Sequence, residues 1–144
     1  MEIVRLNKDT LKLATEAARL FYWNNQKEGV INDQFFEDNK NIMYVALVGE
    51  EVVGNVYGYI LPRFDMPKNQ LFLYSIDVLE AHQKKGIGKA LVHSFLSHLN
   101  REEFHNAFVL TNRNNISAMN LYQSTGAEII HSHEGEDVLF SWAP

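Results

Sequence analysis

Apolar positions along the chain alternate in some stretches and recur with helical period in others. Glu2–Leu6 alternates and predicts a short strand. Leu11, Ala14, Ala17, Ala18 and Phe21 recur at helical spacing, and Asp9 or Thr10 just before them suits a helix cap. Asn32–Asn39 reads as a second short helix. Ile42–Val48 and Val52–Leu61 read as two strands joined by a hairpin-like turn at Gly49-Glu50-Glu51, and Leu71–Leu79 as a third, long strand. Ile87, Leu91, Ser94/Phe95 and His98/Leu99 mark one face of a helix. Phe108–Thr111 follows as a short strand, and Asn115–Thr125 as a helix stopped by Gly126. Glu128–His133 and Asp137–Trp142 form two last strands around Glu134-Gly135-Glu136. The order βααβββαβαββ is that of a mixed α/β protein, in which helices and strands cover each other in layers.

Proline interrupts the pattern only at Pro62, Pro67 and the last residue, Pro144, so Leu61–Gln70 is the main loop. With 144 residues and no linker or repeat, residues 1–144 read as one domain. The absence of cysteine excludes disulfides and thiolate chemistry. Thirteen Lys and Arg against 18 Asp and Glu leave a net charge of −5. That balance argues against nucleic acid as a partner and mildly favours a cationic small substrate. The longest apolar run, Ile42–Val48, is far short of a membrane span, and Met1–Leu6 carries charges where a signal peptide needs apolar residues. A soluble, cytoplasmic protein with no membrane partner is the expectation.

The most informative stretch is Gln83-Lys84-Lys85-Gly86-Ile87-Gly88-Lys89, between the long strand and the helix that begins near Ile87. Its glycines let the backbone approach a ligand. The first turn of the helix offers unpartnered N–H groups and a partial positive charge. Lys84, Lys85 and Lys89 are cationic within an acidic chain. A diphosphate site and a plain strand-to-helix turn with solvated lysines both fit these residues. A dinucleotide fingerprint does not, since Leu91 stands where its third glycine belongs, and no P-loop spacing occurs.

Val78 followed by Gln83-Lys84-Lys85-Gly86-Ile87-Gly88 resembles the Gln/Arg-x-x-Gly-x-Gly/Ala motif of the GCN5-related N-acetyltransferases. Downstream, Asn115-Ile116-Ser117-Ala118-Met119-Asn120-Leu121-Tyr122-Gln123-Ser124-Thr125-Gly126 resembles that family's Asn-x-x-Ala-x-x-Leu-Tyr-x-x-x-Gly helix. The resemblance implies an acyl-CoA N-acyltransferase fold. Its central sheet is mixed, mostly antiparallel and splayed at the middle, with about four flanking helices. It implies acetyl-CoA as cofactor and a small-molecule amine as acceptor, acetylated by direct attack in a ternary complex. Backbone amides of Lys84–Gly88, and Lys89, would hold the diphosphate, with Gln83, Ile87 and Gly86 inside the motif. Ile76 and Val78 would pair with pantetheine as an added strand, and Asn115 would bond the cofactor arm or cap its own helix. Tyr122 would protonate the departing thiolate, its plainer role being an aromatic packed on the sheet. Asp77 is the first candidate base, against an ordinary charged residue beside a turn; alternation puts it on one strand face with Ser75 and Leu73. Glu80 falls in the following loop. The resemblance also leans toward a homodimer.

Leu61-Pro62-Arg63-Phe64-Asp65-Met66-Pro67 with Leu71-Phe72-Leu73-Tyr74, and the ending Asp137–Trp142, resemble the small aminoglycoside 3-N-acetyltransferases, although Ser75 stands where that group carries an acid. A non-catalytic acyl-CoA sensor and a protein N-acetyltransferase are the alternatives. His131 and His133 share a strand face without a third ligand, so no metal site is expected. His93 and His98 read as packing or surface residues. Phe21, Tyr22 and Trp23 end the first helix as core or partner contact, or as a substrate mouth. Phe35, Phe36, Glu37 and Asp38 fall in the region where the resemblance places the acceptor.

Overall fold

The computed structural model describes residues 1–24, 29–132 and 137–144. Within these, seven strands form one sheet in the order β1-β2-β3-β4-β5-β7-β6. The strands are β1 (Glu2–Arg5), β2 (Asn41–Val48), β3 (Glu51–Leu61), β4 (Asn69–Val78), β5 (Phe104–Asn112), β6 (Glu128–Ser132) and β7 (Asp137–Trp142). Neighbours are antiparallel except β4 and β5. Three α-helices, α1 (Leu11–Phe21), α2 (Ile87–Leu96) and α3 (Ile116–Ser124), accompany the sheet.

The apolar run in β2 is explained by burial on both faces. Ile42 and Ala46 join the core beneath α2, with Leu71, Leu73, Leu91 and Phe95. Met43 and Val45 join a second core beneath α1, with Ala14 and Ala17. A strand covered on both sides shows no clean alternation.

Four expectations are corrected. Asn32–Asn39 is not an α-helix but a 3-10 turn over Asp33–Glu37. Asn32 accepts from Gln34 N–H, Asp38 accepts from Lys40 N–H, and Asn41 donates to the Phe35 carbonyl. Short polar side chains that bond nearby backbone compete with helix in this way. The helix count is therefore three, with short 3-10 turns at Asp33–Glu37 and Glu80–His82. α2 ends at Leu96, because the amides of Ser97, His98 and Leu99 turn back three residues rather than four. β5 begins at Phe104, four residues before the predicted strand, since Phe104–Ala107 carry polar positions paired to β4 and β7. The fourth correction lies in β4. Tyr57 pairs with Ser75 but Gly58 pairs with Leu73, so Tyr74 is the extra residue of a β-bulge. The bulge reverses the alternation. Leu71 and Leu73 share the α2-side core with Ile76 and Val78. Phe72 and Tyr74 meet edge to face, Tyr74 meets Tyr57, and Ser75 turns to the α1 side with them. Asp77 thus shares a face with Ser75 but not with Leu73.

The strand Glu128–His133 ends at Ser132, and His133 and the turn Glu134-Gly135-Glu136 lie outside the described residues. Thr10 precedes α1, but its hydroxyl bonds to Asn7 rather than capping. Among the described residues no helix is long and apolar enough to cross a membrane.

The sheet opens at its centre. The parallel ladder between β4 and β5 ends at Phe72 opposite Phe108, whose rings stack 4.6 Å apart. Beyond that pair, β4 continues beside β3 to Val78, while β5 pairs with β7 to Asn112.

Gly58 sits against the bulge, and a Cβ there would lie 1.9 Å from the Phe72 carbonyl oxygen and 2.7 Å from the Phe95 ring. Backbone cannot move aside as a flexible side chain can. Gly58→Ala is expected to destabilise the fold by about 3 kcal/mol or more, read as a lowered urea midpoint.

Candidate active site

The gap between β4 and β5 is a cleft of about 690 Å³. The end of β4 supplies one wall with Ile76, Asp77 and Val78. The loop and start of α2 supply Gln83, Lys84, Gly86, Gly88 and Lys89. Asn115, Ala118, Leu121 and Tyr122 of α3 face them. Two residues of the predicted set do not line it. Lys85 is exposed to solvent, and the Ile87 side chain is buried in the core with 4% exposure, leaving only its amide to offer.

α2 starts without a cap. Gly86 at its N-cap is left-handed at φ +84°, no side chain caps the helix, and no acid lies in its first turn. The first helical bond runs from Ala90 N–H to the Gly86 carbonyl, so the amides of Ile87, Gly88 and Lys89 have no carbonyl within the helix. Lys84 is also left-handed, at φ +63°. Among the described residues the ion pairs are Arg19–Glu16 and Arg63–Asp65, so Lys84 and Lys89 present unpaired charge to the cleft. Uncapped amides and free ammonium groups thus share one wall of the cleft, where the helix end carries partial positive charge. Gln83 lines the cleft, yet its amide donates to the Val78 carbonyl at 3.0 Å and pins the loop to the strand. Asn115 caps α3 by accepting from Ala118 N–H at 3.1 Å.

Tyr122 is 4% exposed, wedged against Phe140 and Trp142. Burial, and secondarily the charge of Asp77, push its hydroxyl up to about 12, so it stays protonated at neutral pH. Burial also raises the Asp77 carboxyl above the usual carboxylate range, against hydrogen bonds from Tyr22 and Ser75 that lower it. The Ser75 hydroxyl lies 3.4 Å from Asp77 Oδ2 and 2.9 Å from the Tyr22 hydroxyl, which donates to Asn55 Oδ1 at 3.0 Å. Tyr22 itself is held well above the ordinary phenol value by burial. A carboxyl and a protonated phenol therefore meet one cleft.

Sequence reasoning placed Asp77 and Tyr122 here but read Tyr22 only as core, partner contact or mouth, and it missed Asn55. Nothing in the spacing joins residues 33 positions apart across α1 and β3. Ser117, Asn120 and Ser124 were missed as cleft lining. Their spacing of three and four residues along α3 was the available signal. His98 packs with its Nε2 2.8 Å from the Tyr44 hydroxyl, away from the cleft. Among the described residues no group of three acids and histidines could hold a metal.

A parted sheet, an uncapped helix start, a carboxyl and a protonated phenol thus border one cleft. Residues 8–127 match the acetyltransferase (GNAT) family, and the chain belongs to that family. It is 29% identical over 128 residues to an N-alpha-acetyltransferase of Sulfurisphaera tokodaii, covering 76% of this chain and 75% of that one. It is 29% identical over 96 residues to N-acetyltransferase 8B of Rattus norvegicus, covering 67% of this chain but 43% of that protein, so it spans less than half of the latter. Its fold matches an aminoglycoside acetyltransferase from an uncultured soil metagenomic sample, with a TM-score of 0.76 and 24% identity, over 92% and 93% of the two chains. It also matches Arabidopsis thaliana NAA60 solved with acetyl-CoA, with a TM-score of 0.70 and 16% identity, over 99% and 97%.

A Cβ at Gly86 would meet nothing within 4 Å, so only its positive φ demands glycine. Gly86→Asn, which tolerates that conformation, is expected to unfold near the parent urea midpoint. Gly86→Val is expected to lose about 1–3 kcal/mol.

Proposed function

We propose that this chain is an N-acetyltransferase that moves an acetyl group from acetyl-CoA to a primary amine of a small acceptor. The observation that carries this reading is that the uncapped N-terminus of α2, the unpaired end of β4 and the Asp77/Tyr122 pair all face one cleft. Family membership and a fold neighbour solved with acetyl-CoA support it.

The residues fit the cofactor. The amides of Ile87, Gly88 and Lys89, with the Lys84 and Lys89 ammonium groups, would hold its diphosphate. The edge of β4 at Ile76 and Val78 would pair with the pantetheine arm as an added strand. Gln83 would keep the loop in register with that edge, and the free amide nitrogen of Asn115 would reach the arm. Bound acetyl-CoA supplies the electrophile: the amine nitrogen bonds to the thioester carbon, the carbon–sulfur bond breaks, and an amide and a thiol result. Asp77 takes the proton that the amine sheds, and its raised pKa makes it a stronger base than an exposed carboxylate. Tyr122 gives a proton to the leaving sulfur, which its neutrality at working pH permits. Ser75, whose hydroxyl donates to Asp77 Oδ2, would position the carboxylate.

Ser75 holds no charge for an ammonium, and its hydroxyl is already engaged by Tyr22 and Asp77. That weighs against the aminoglycoside acceptors suggested by the loop at Leu61–Pro67.

Acetyl-CoA at ~100-fold above its Kd is expected to stabilise the chain by about 2.7 kcal/mol and raise Tm by roughly 5–15 °C. An unmoved melt removes the proposal. With an accepted amine, Tyr122→Phe is expected to lower kcat about 100-fold while acetyl-CoA affinity holds. Asp77→Asn is expected to abolish the rise of kcat/KM through the acidic range. Because the folded pKa of Asp77 is raised, the stability it contributes is present at low pH and lost as pH rises through that value. Asp77→Asn is thus expected to melt above the parent at pH 7, with the gap closing in acid.

A further inference from the structure

A second cavity of about 370 Å³ lies on the α1 side of the sheet. Its walls are Ala14 and Ala18 of α1, Met43 of β2, Tyr57 and Tyr59 of β3, and Phe35 and Phe36 of the 3-10 turn. Tyr22 closes one side. No charged side chain lines it among the described residues. Its polar amide residue, Asn32, already accepts from Gln34 N–H. Tyr57 is held up to about 12 by burial, and Tyr59 is raised for the same reason, so both walls stay neutral. The rings lock edge to face, with Tyr22–Tyr57 centroids 5.7 Å apart and Phe35 6.0 Å from both Tyr57 and Tyr59.

One residue stands between the cavity and the cleft. The Tyr22 ring lines it, while the Tyr22 hydroxyl sits 2.9 Å from Ser75 beside Asp77, which lines the larger cleft. An amine whose nitrogen lies at Asp77 would have its substituent directed past Tyr22 into this space.

We infer that this cavity is the acceptor pocket and that it selects a primary amine carrying one aromatic or branched apolar group. The inference rests on the acetyl-transfer reading above and names its substrate class. Wall chemistry sets the class. A polyhydroxylated polycation placed here would lose water from several charges and hydroxyls, with no carboxylate among the described lining residues to replace it. An apolar group placed here trades water for ring faces and gains the burial term. A cavity near 370 Å³ lies at the small end of ligand pockets, which are typically about 300–1,000 Å³, and suits one ring or one branched chain.

Thiol release is measured with acetyl-CoA and phenethylamine, isopentylamine, spermidine, kanamycin and a tetrapeptide beginning with phenylalanine. Phenethylamine binding to the CoA-saturated chain and to the chain alone is measured by calorimetry. The kcat/KM for phenethylamine and isopentylamine is expected to exceed that for spermidine and kanamycin at least 50-fold. Ala18→Phe, which fills the cavity, is expected to raise the phenethylamine KM and Kd at least tenfold while acetyl-CoA affinity is unchanged. Phe36→Ala, which removes a wall, is expected to raise both several-fold, and the acetyl-CoA melt shift reports whether each variant is folded. A peptide preferred over phenethylamine, with the same sensitivity to Ala18→Phe, assigns the pocket to a first side chain; the reverse order assigns it to a free amine. Preference for kanamycin or spermidine, or phenethylamine constants indifferent to both variants, overturns the inference while acetyl transfer stands. No acetyl-CoA binding and no turnover overturns acetyl transfer. In that case phenethylamine binding that Ala18→Phe abolishes still reports the pocket, and absence of binding overturns it too.

Discussion

The parting of β4 from β5 after Phe72 and Phe108 is the constraint on which the rest of the molecule depends. Backbone groups removed from a ladder must find other partners, or the fold bears their desolvation cost. Here the break leaves the last six residues of β4 beside β3 only. Across the gap α2 begins with three amides unbonded within the helix, and no side chain caps it. Two kinds of unmet hydrogen-bonding capacity, a strand edge and a helix end, thus face one volume. Both are complementary to a long ligand with a polar arm and an anionic middle. The packing that makes the break affordable is the two-sided core, with α2 on one face and α1 on the other.

The bulge at Tyr74 lets one strand serve both faces. Without it, alternation would put Ser75 and Asp77 on the side of Leu73, in the core under α2. With it, Ile76 and Val78 remain in that core, while Ser75 turns to Tyr22. The cost falls at Gly58, which must be glycine because the displaced backbone of Phe72 occupies the space of its Cβ. Register and chemistry are therefore set by the same irregularity.

Much of this was legible in the chain. The apolar period of α2, the Gly86–Gly88 spacing and the Asn115–Gly126 helix located the cleft and most of its walls. Elements defined by local period survive translation into structure because each buries its own stripe. What was not legible depended on non-local pairing. The bulge follows from how β3 and β4 register, and residue type at Tyr74 does not announce it. The first residues of β5, Phe104–Ala107, are strand because β4 pairs with them, not because they alternate. The Asn32–Asn39 segment read as a short helix, but its polar side chains bond locally instead. Tyr22 and Asn55 come together only through the packing of α1 on β3.

Asn55 shows how far the structure bends toward its site. It is fully buried, its Oδ1 accepts from Tyr22, and its Nδ2 has no partner. A buried unsatisfied amide hydrogen costs about 1–3 kcal/mol, and an apolar residue at this sheet position would avoid the cost. The compensation is orientation. Asn55 pairs with Asp77 across the strands, so the residue that anchors the Tyr22 hydroxyl sits beside the carboxylate. A phenol anchored at its oxygen keeps its ring fixed, and the Tyr22 ring stands between the cleft and the aromatic cavity. An unmet hydrogen bond at Asn55 is thus the local expense of a fixed Tyr22 ring between the cleft and the aromatic cavity.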